Sequence, residues 1–165
     1  FSASGILYVK RRKDGLIYLD FPAHKPRTVK NKDVYEEVMG LKPVSALKGK
    51  KLMLVYDHEK DVLNLNPDFK QLKKMNDVGV IATAQGKDFD FVSRFFAPAV
   101  GIDEDPVTGS AHTHLIPYWS RVLNKKYLSA WQCSKRGGIL LCENQDDRVL
   151  IGGQAVTFMN GYIHL

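Results

Sequence analysis

The stretch from Asp103 to His112 gathers the side chains of this 165-residue chain that are best suited to chemistry. An acidic loop broken by Pro106 runs into an apolar stretch at Ser110, a pattern that marks the start of a helix. Such a start presents unpaired backbone N–H groups and the positive end of the helix dipole, and both favour an anion. Gly109 has no side chain to keep a ligand from these amides, Thr108 and Ser110 offer hydroxyls, and Ala111 continues the first turn. Asp105, its neighbour Pro106 restricting the backbone, adds a carboxylate. The loop lacks the Lys-Ser or Lys-Thr pair of a nucleotide-binding loop, so a small carboxylate-bearing molecule suits it better than a phosphate chain. A second reading fits the same residues. Thr108 or Ser110 caps the helix, and Asp103, Glu104 and Asp105 sit where the dipole favours acids. An acidic loop also repels an anion unless Asp105 meets a neutral part of the ligand or takes up a proton. Spacing alone leaves both readings open.

Other chemistry-bearing residues are more scattered. His112 and His114 lie two apart, which on a helix sends them to different faces and argues against a paired metal site. His24, His58 and His164 are isolated among turn or strand residues, and no metal site is expected. Cys133 and Cys142 fall in strand patterns and read as small buried hydrophobes, a reactive thiol being the lesser alternative. Arg136 and Gly137, followed by Gly138, form either a plain turn or a basic contact for an anion.

The elements that must position these residues follow from periodicity and punctuation. Residues 5–9 and 16–21 read as a hairpin joined by the charged turn 11–15. Residues 31–39 read as a short helix stopped by Gly40. Residues 52–56 and 62–65 read as strands, and Asn66-Pro67 as the start of a helix carrying Phe69, Leu72 and Met75. Further strands are predicted over 78–84, 89–96, 127–133, 139–142, 148–151 and 154–159. Between them, the run 110–123 reads as a helix with apolar residues on more than one stripe, hence enclosed by the sheet, although Pro117 would ordinarily kink or break it.

Composition bounds the setting. A chain of this length that is 44% hydrophobic makes one domain. Its net charge of +6 comes from dispersed basic clusters without interleaved aromatics, so a solvated surface is expected and nucleic acid is not. Two cysteines without a framework, no stretch long enough to span a membrane, and no signal-peptide pattern at Phe1 point to a reduced, cytoplasmic setting. The absence of an initiator methionine suits a segment of a longer polypeptide.

The block from Ser93 to His112 closely resembles the second conserved block of the PhzF-like, or phenazine-biosynthesis-like, proteins. Supporting matches run through Ser4-Gly5, Leu19-Asp20-Phe21-Pro22-Ala23, Cys133-Ser134-Lys135-Arg136-Gly137-Gly138 and Ile151-Gly152-Gly153-Gln154-Ala155-Val156. The resemblance covers essentially the whole chain and looks closest to the animal phenazine-biosynthesis-like proteins. It implies an α+β, diaminopimelate-epimerase-like fold of two lobes. Each lobe wraps a mixed, mostly antiparallel sheet around a central helix, with the active site between them. Residues 1–165 would be one such lobe, the C-terminal one. In phenazine-producing bacteria the family member isomerises a dihydro-hydroxyanthranilate by moving a proton, with no metal or organic cofactor. By resemblance Asp105 and Ser110 are catalytic, and Thr108, Gly109 and Ala111 bind substrate, with Arg136 and Gly137 as secondary contacts. The family's acid/base glutamate and its Gly-His-Ala-Thr block belong to the N-terminal lobe and have no counterpart here. The expectation is a lobe inactive by itself that self-associates or forms a homodimer through its unpaired face. The rival reading is a catalytically silent binding or interaction protein.

Overall fold

The computed structural model describes residues 7–13, 15–75 and 78–162. Ser4-Gly5 at the start of the first predicted strand, Asp14 in its turn, and His164 lie outside the described residues. The opening hairpin is β1 (Tyr8–Arg11) and β2 (Ile17–Pro22), followed by β3 (Arg27–Thr28), α1 (Glu36–Met39), β4 (Ser45–Lys48), β5 (Leu52–Val55), α2 (Glu59–Leu63) and α3 (Phe69–Lys74). Next come β6 (Val80–Gln85), β7 (Phe91–Ala97), β8 (Ile102–Glu104), α4 (Gly109–Leu123), β9 (Tyr127–Gln132), β10 (Gly138–Gln145) and β11 (Arg148–Gly153).

The described strands form one sheet in the order β1-β2-β11-β10-β9-β7-β6-β5-β4-β3, with β8 paired to β7. Only β5 with β6 and β7 with β9 run parallel. This is the expected α+β class, a mixed and mostly antiparallel sheet around one helix. The period of two along each strand sorts the side chains between two cores. Leu47, Met53, Val55 and Ile81 face inward with Leu115, Ile116 and Trp119 of α4. Ala46, Leu52, Leu54, Val80 and Ala82 face outward, in a second core that includes Val38 and Met39 of α1, Val62 of α2 and Leu72 of α3.

Helix α4 is enclosed as its composition requires: every residue from Ala111 to Pro117 is buried. Pro117 does not break it. The proline cannot donate to the carbonyl of Thr113 one turn back, and that carbonyl instead accepts the His24 amide at 2.9 Å. A neighbouring loop thus replaces the missing helical bond. Farther along, Trp119 stacks on Phe91 with ring centroids 5.9 Å apart, and its indole N–H donates to Thr83 Oγ1 at 3.0 Å.

Three predicted boundaries are corrected. Residues 62–65 are not a strand but the end of α2 and its exit. Val62 and Leu65 are both buried at helical spacing, and Asp61 accepts the His58 amide at 3.0 Å in a capping box. The helix expected from Asn66-Pro67 is capped instead by Asp68, whose carboxylate accepts from Lys70 and Gln71 at 2.9 and 3.0 Å. Residues 154–159 join no strand of the sheet, and Val156 and Phe158 are 91% and 98% exposed.

Candidate functional site

β7 leads through a 3-10 turn at Pro98–Val100 and the short β8 into the loop that enters α4. Asp105 N–H donates to Phe95 O at 2.9 Å, which ties the loop back onto β7. Thr108 is the residue before α4, with φ −113° and ψ 96°, yet its side chain does not cap the helix. The hydroxyl donates instead to Asp105 Oδ2. Among the described residues, no acceptor is bonded to the Gly109 or Ser110 amides. A Cβ built on Gly109 would meet no atom within 4 Å. The start of α4 therefore has open donors and open space before it, the arrangement that favours an anion. This geometry turns the capping explanation aside for Thr108. Ser110 is exposed, and its carbonyl accepts the Thr113 hydroxyl at 2.8 Å. Ala111 buries its methyl in the inner core and gives its amide to Thr108 O at 3.2 Å.

The turn after β9 comes to the same place. Ser134 Oγ donates to Pro106 O at 2.7 Å and accepts the Gly137 amide at 3.1 Å. Gly137 has φ +72°, a backbone shape that L side chains rarely adopt. Arg136 is exposed and lines a shallow groove of about 480 Å³ with Glu104, Pro106, Ser134 and Lys135. The sequence-named residues from Asp105 to Ala111 and the pair Arg136 and Gly137 are therefore neighbours. A polar residue that sequence reading passed over joins them. Gln132 is completely buried, accepts the Thr108 amide at 2.7 Å, and donates to Asp105 O at 2.7 Å and to Thr108 Oγ1 at 3.1 Å. Its signal was present in the sequence as a polar side chain in phase with the inward-facing Leu128 and Ala130 of β9.

The acids of the loop are not bare. Arg94 grips Glu104 with two hydrogen bonds of 2.7 and 2.9 Å. Lys51 lies 4.8 Å above the Phe95 ring; burial pulls its ammonium below the ordinary value, while the charge of Asp105 opposes that shift. Neither Lys51 nor a spacing around it singled this residue out in the sequence. His112, fully buried, donates from Nδ1 to Thr108 O at 2.8 Å, and burial pushes its pKa down to about 4. His114 points elsewhere, its ring 5.0 Å from that of His24, and burial together with the charge of His24 takes it to about 4. Among the described residues, no group of three or more His, Cys, Asp or Glu side chains could hold a metal ion. Both cysteines are free and buried; desolvation raises Cys133 to about 11 and raises Cys142 further, which fits packing and not reactivity.

A family model described as phenazine biosynthesis-like protein matches residues 2–161. The chain belongs to this family. The PhzF-like chain is 50% identical over 165 residues to an uncharacterized isomerase of Pseudomonas aeruginosa, covering 99% of this chain and 63% of that protein. It is 39% identical over 180 residues to phenazine biosynthesis-like domain-containing protein 1 of Mus musculus, covering 96% of this chain and 62% of the mouse protein. The bacterial likeness is the higher of the two, which corrects the expectation that animal proteins would be nearest. The fold matches the crystal structure of a PhzF-family phenazine biosynthesis protein from Enterococcus faecalis with a TM-score of 0.91 and 46% identity, over 99% of this chain and 63% of that one. The PhzF-like chain thus spans less than two thirds of the length of each relative. No helix among the described residues is long and apolar enough to cross a membrane.

Proposed function

We propose that residues 1–165 are the C-terminal lobe of a two-lobed PhzF-like isomerase that shifts a proton on a small carboxylate-bearing substrate without metal or organic cofactor. The observation that carries this reading is the start of α4. The Thr108 hydroxyl is committed to Asp105, so the Gly109 and Ser110 amides are left to meet a carboxylate. Asp105 stands beside that position as the proton-handling or substrate-bonding group, Ser110 adds its hydroxyl, and Arg136 and Gly137 border the entrance. The opposing acid/base group comes from the other lobe, so this chain alone is inactive.

The test compares the purified chain with a polypeptide that also carries the first lobe, following product formation from a dihydro-hydroxyanthranilate. Turnover is expected only from the longer form. Measurable turnover by the chain alone refutes the half-site reading. A second reading, a silent interaction protein that self-associates, draws support from the exposed apolar side chains of Val156, Phe158, Met159 and Tyr162. Sedimentation of the chain over a range of concentrations tests it: a monomer throughout removes it, and a dimer inactive in both lengths favours it.

A further inference from the structure

Gln132 sits at the end of β9, inside the fold and 0% exposed, opposite Gly138 of β10 and Ser93 of β7 in the sheet register. Among the described residues, its side-chain hydrogen bonds all go to the loop entering α4. The orientation of its carboxamide is fixed by two partners whose roles cannot change. The Thr108 backbone N–H only donates, so the atom it meets at 2.7 Å is Oε1; the Asp105 carbonyl only accepts, so the atom it meets at 2.7 Å is Nε2. The second N–H of that same nitrogen then points to Thr108 Oγ1 at 3.1 Å. Thr108 Oγ1 is thereby an acceptor on one side. Its own hydrogen has one acceptor among the described residues, Asp105 Oδ2. A proton placed on Oδ2 would leave the Thr108 hydroxyl with nowhere to donate, inside a segment where Thr108 is 6% exposed. The other oxygen, Asp105 Oδ1, has no hydrogen-bond partner among the described residues.

We propose that Gln132 is a positioning residue for the site: through Thr108 it sets the direction of the hydrogen-bond chain, so that Asp105 Oδ2 accepts and Oδ1 is the oxygen presented to a ligand. The same amide closes the loop twice, on the Thr108 N–H and the Asp105 carbonyl, and so fixes where the carboxylate stands relative to the start of α4. The assignment of protons is independent of what the site does. Its catalytic consequence, that any proton exchanged with a substrate travels by Oδ1, rests on the reading of Asp105 given above.

Neutron diffraction from a deuterated crystal of this chain at neutral pD reads the proposal directly. The expected density has the Thr108 deuteron directed at Asp105 Oδ2, the two Gln132 deuterons directed at Asp105 O and Thr108 Oγ1, and none on Oδ2. A deuteron on Oδ2, or a Thr108 deuteron directed at Gln132, overturns it. In solution, Gln132→Met removes the acceptor of the Thr108 amide while keeping the side chain's length, and hydrogen-exchange protection at Thr108 should fall roughly tenfold. Unchanged protection overturns the clamp. In the two-lobed form, Thr108→Ser should retain turnover while Thr108→Val lowers kcat with little change in KM, and equal loss in both variants counts against the hydroxyl's role. If the deuterons lie as expected while Asp105→Asn turns over at the wild-type rate, the network stands and the isomerase reading falls.

Discussion

Gly109→Ala separates a ligand-binding helix start from an ordinary one, because the two readings give it opposite consequences. Gly109 is the first residue of α4, its backbone lies outside the left-handed region, and a Cβ there would meet no atom within 4 Å. Alanine can therefore adopt this conformation without strain. By restricting the unfolded chain it should stabilise the protein by about 0.4–1 kcal/mol, which for a domain of this size is a rise in Tm of roughly 1–4 °C. The added methyl stands where a carboxylate would approach the Gly109 and Ser110 amides. Displacing one or two charge-assisted hydrogen bonds, at about 1.5–3 kcal/mol each, should lower kcat/KM of the two-lobed form by roughly tenfold or considerably more. Calorimetry on the chain and turnover of the longer form give the two readouts. A higher Tm with unchanged kcat/KM would falsify the anion-hole reading. A lower Tm would show that the space before α4 is not open.

Further expectations concern the same residues and their surroundings. In the two-lobed form Asp105→Asn should cost on the order of 100-fold or more in kcat, the range of a lost general acid or base, and Ser110→Ala should cost less, both with an unchanged circular dichroism spectrum. Activity near wild type in both would return the loop to a structural role. Stability should fall in acid. His112 titrates near 4 when folded, below the ordinary value near 6.5, so the unfolded chain binds more protons in that window. Its contribution is complete above about pH 6.5 and is lost as the pH falls towards 4, about 2 kcal/mol of it between pH 7 and 5. Urea titrations at the two pH values check the sign, and His112→Gln should remove its share of the dependence while leaving that of His114, whose pKa is also lowered to about 4. Cys133 and Cys142, both buried and raised in pKa, should resist iodoacetamide in the native state and react on unfolding; labelling without unfolding would contradict their role as packing residues.

What could be read from the sequence was what periodicity carries over long runs. Enclosure of α4 followed from apolar residues on more than one stripe, and the loop from Asp103 to Gly109 stood out by composition. Short elements were less visible. Val62 and Leu65 fit a strand as easily as a helical turn, and only the His58–Asp61 capping box and packing against the outer core decide for α2. Pro117 misled in the other direction, because the His24 amide that satisfies Thr113 O comes from a loop almost ninety residues away along the chain. Within the site, the roles of Thr108 and Gln132 depend on which hydroxyl and which amide meet across β9 and the loop. No spacing encodes that, and a buried Gln in phase with Leu128 and Ala130 was the single available hint.

The acidic run raised an objection to binding an anion, and the structure answers it with local charge arrangements. Glu104 is engaged by the Arg94 guanidinium, itself held by the carbonyl of Leu65 at 2.7 Å. Asp105 has one oxygen occupied by a hydroxyl donor and feels the half-buried Lys51 cation. Asp103 is exposed, where water screens it. On the proposed reading, a carboxylate arriving at the start of α4 would meet the positive end of a fifteen-residue helix more than three bare carboxylates. Moving a proton from one atom of a substrate to another requires groups placed across it, so on the function proposed above a chain that spans under two thirds of its relatives would supply one wall of such a site, with Asp105 and the start of α4 on it.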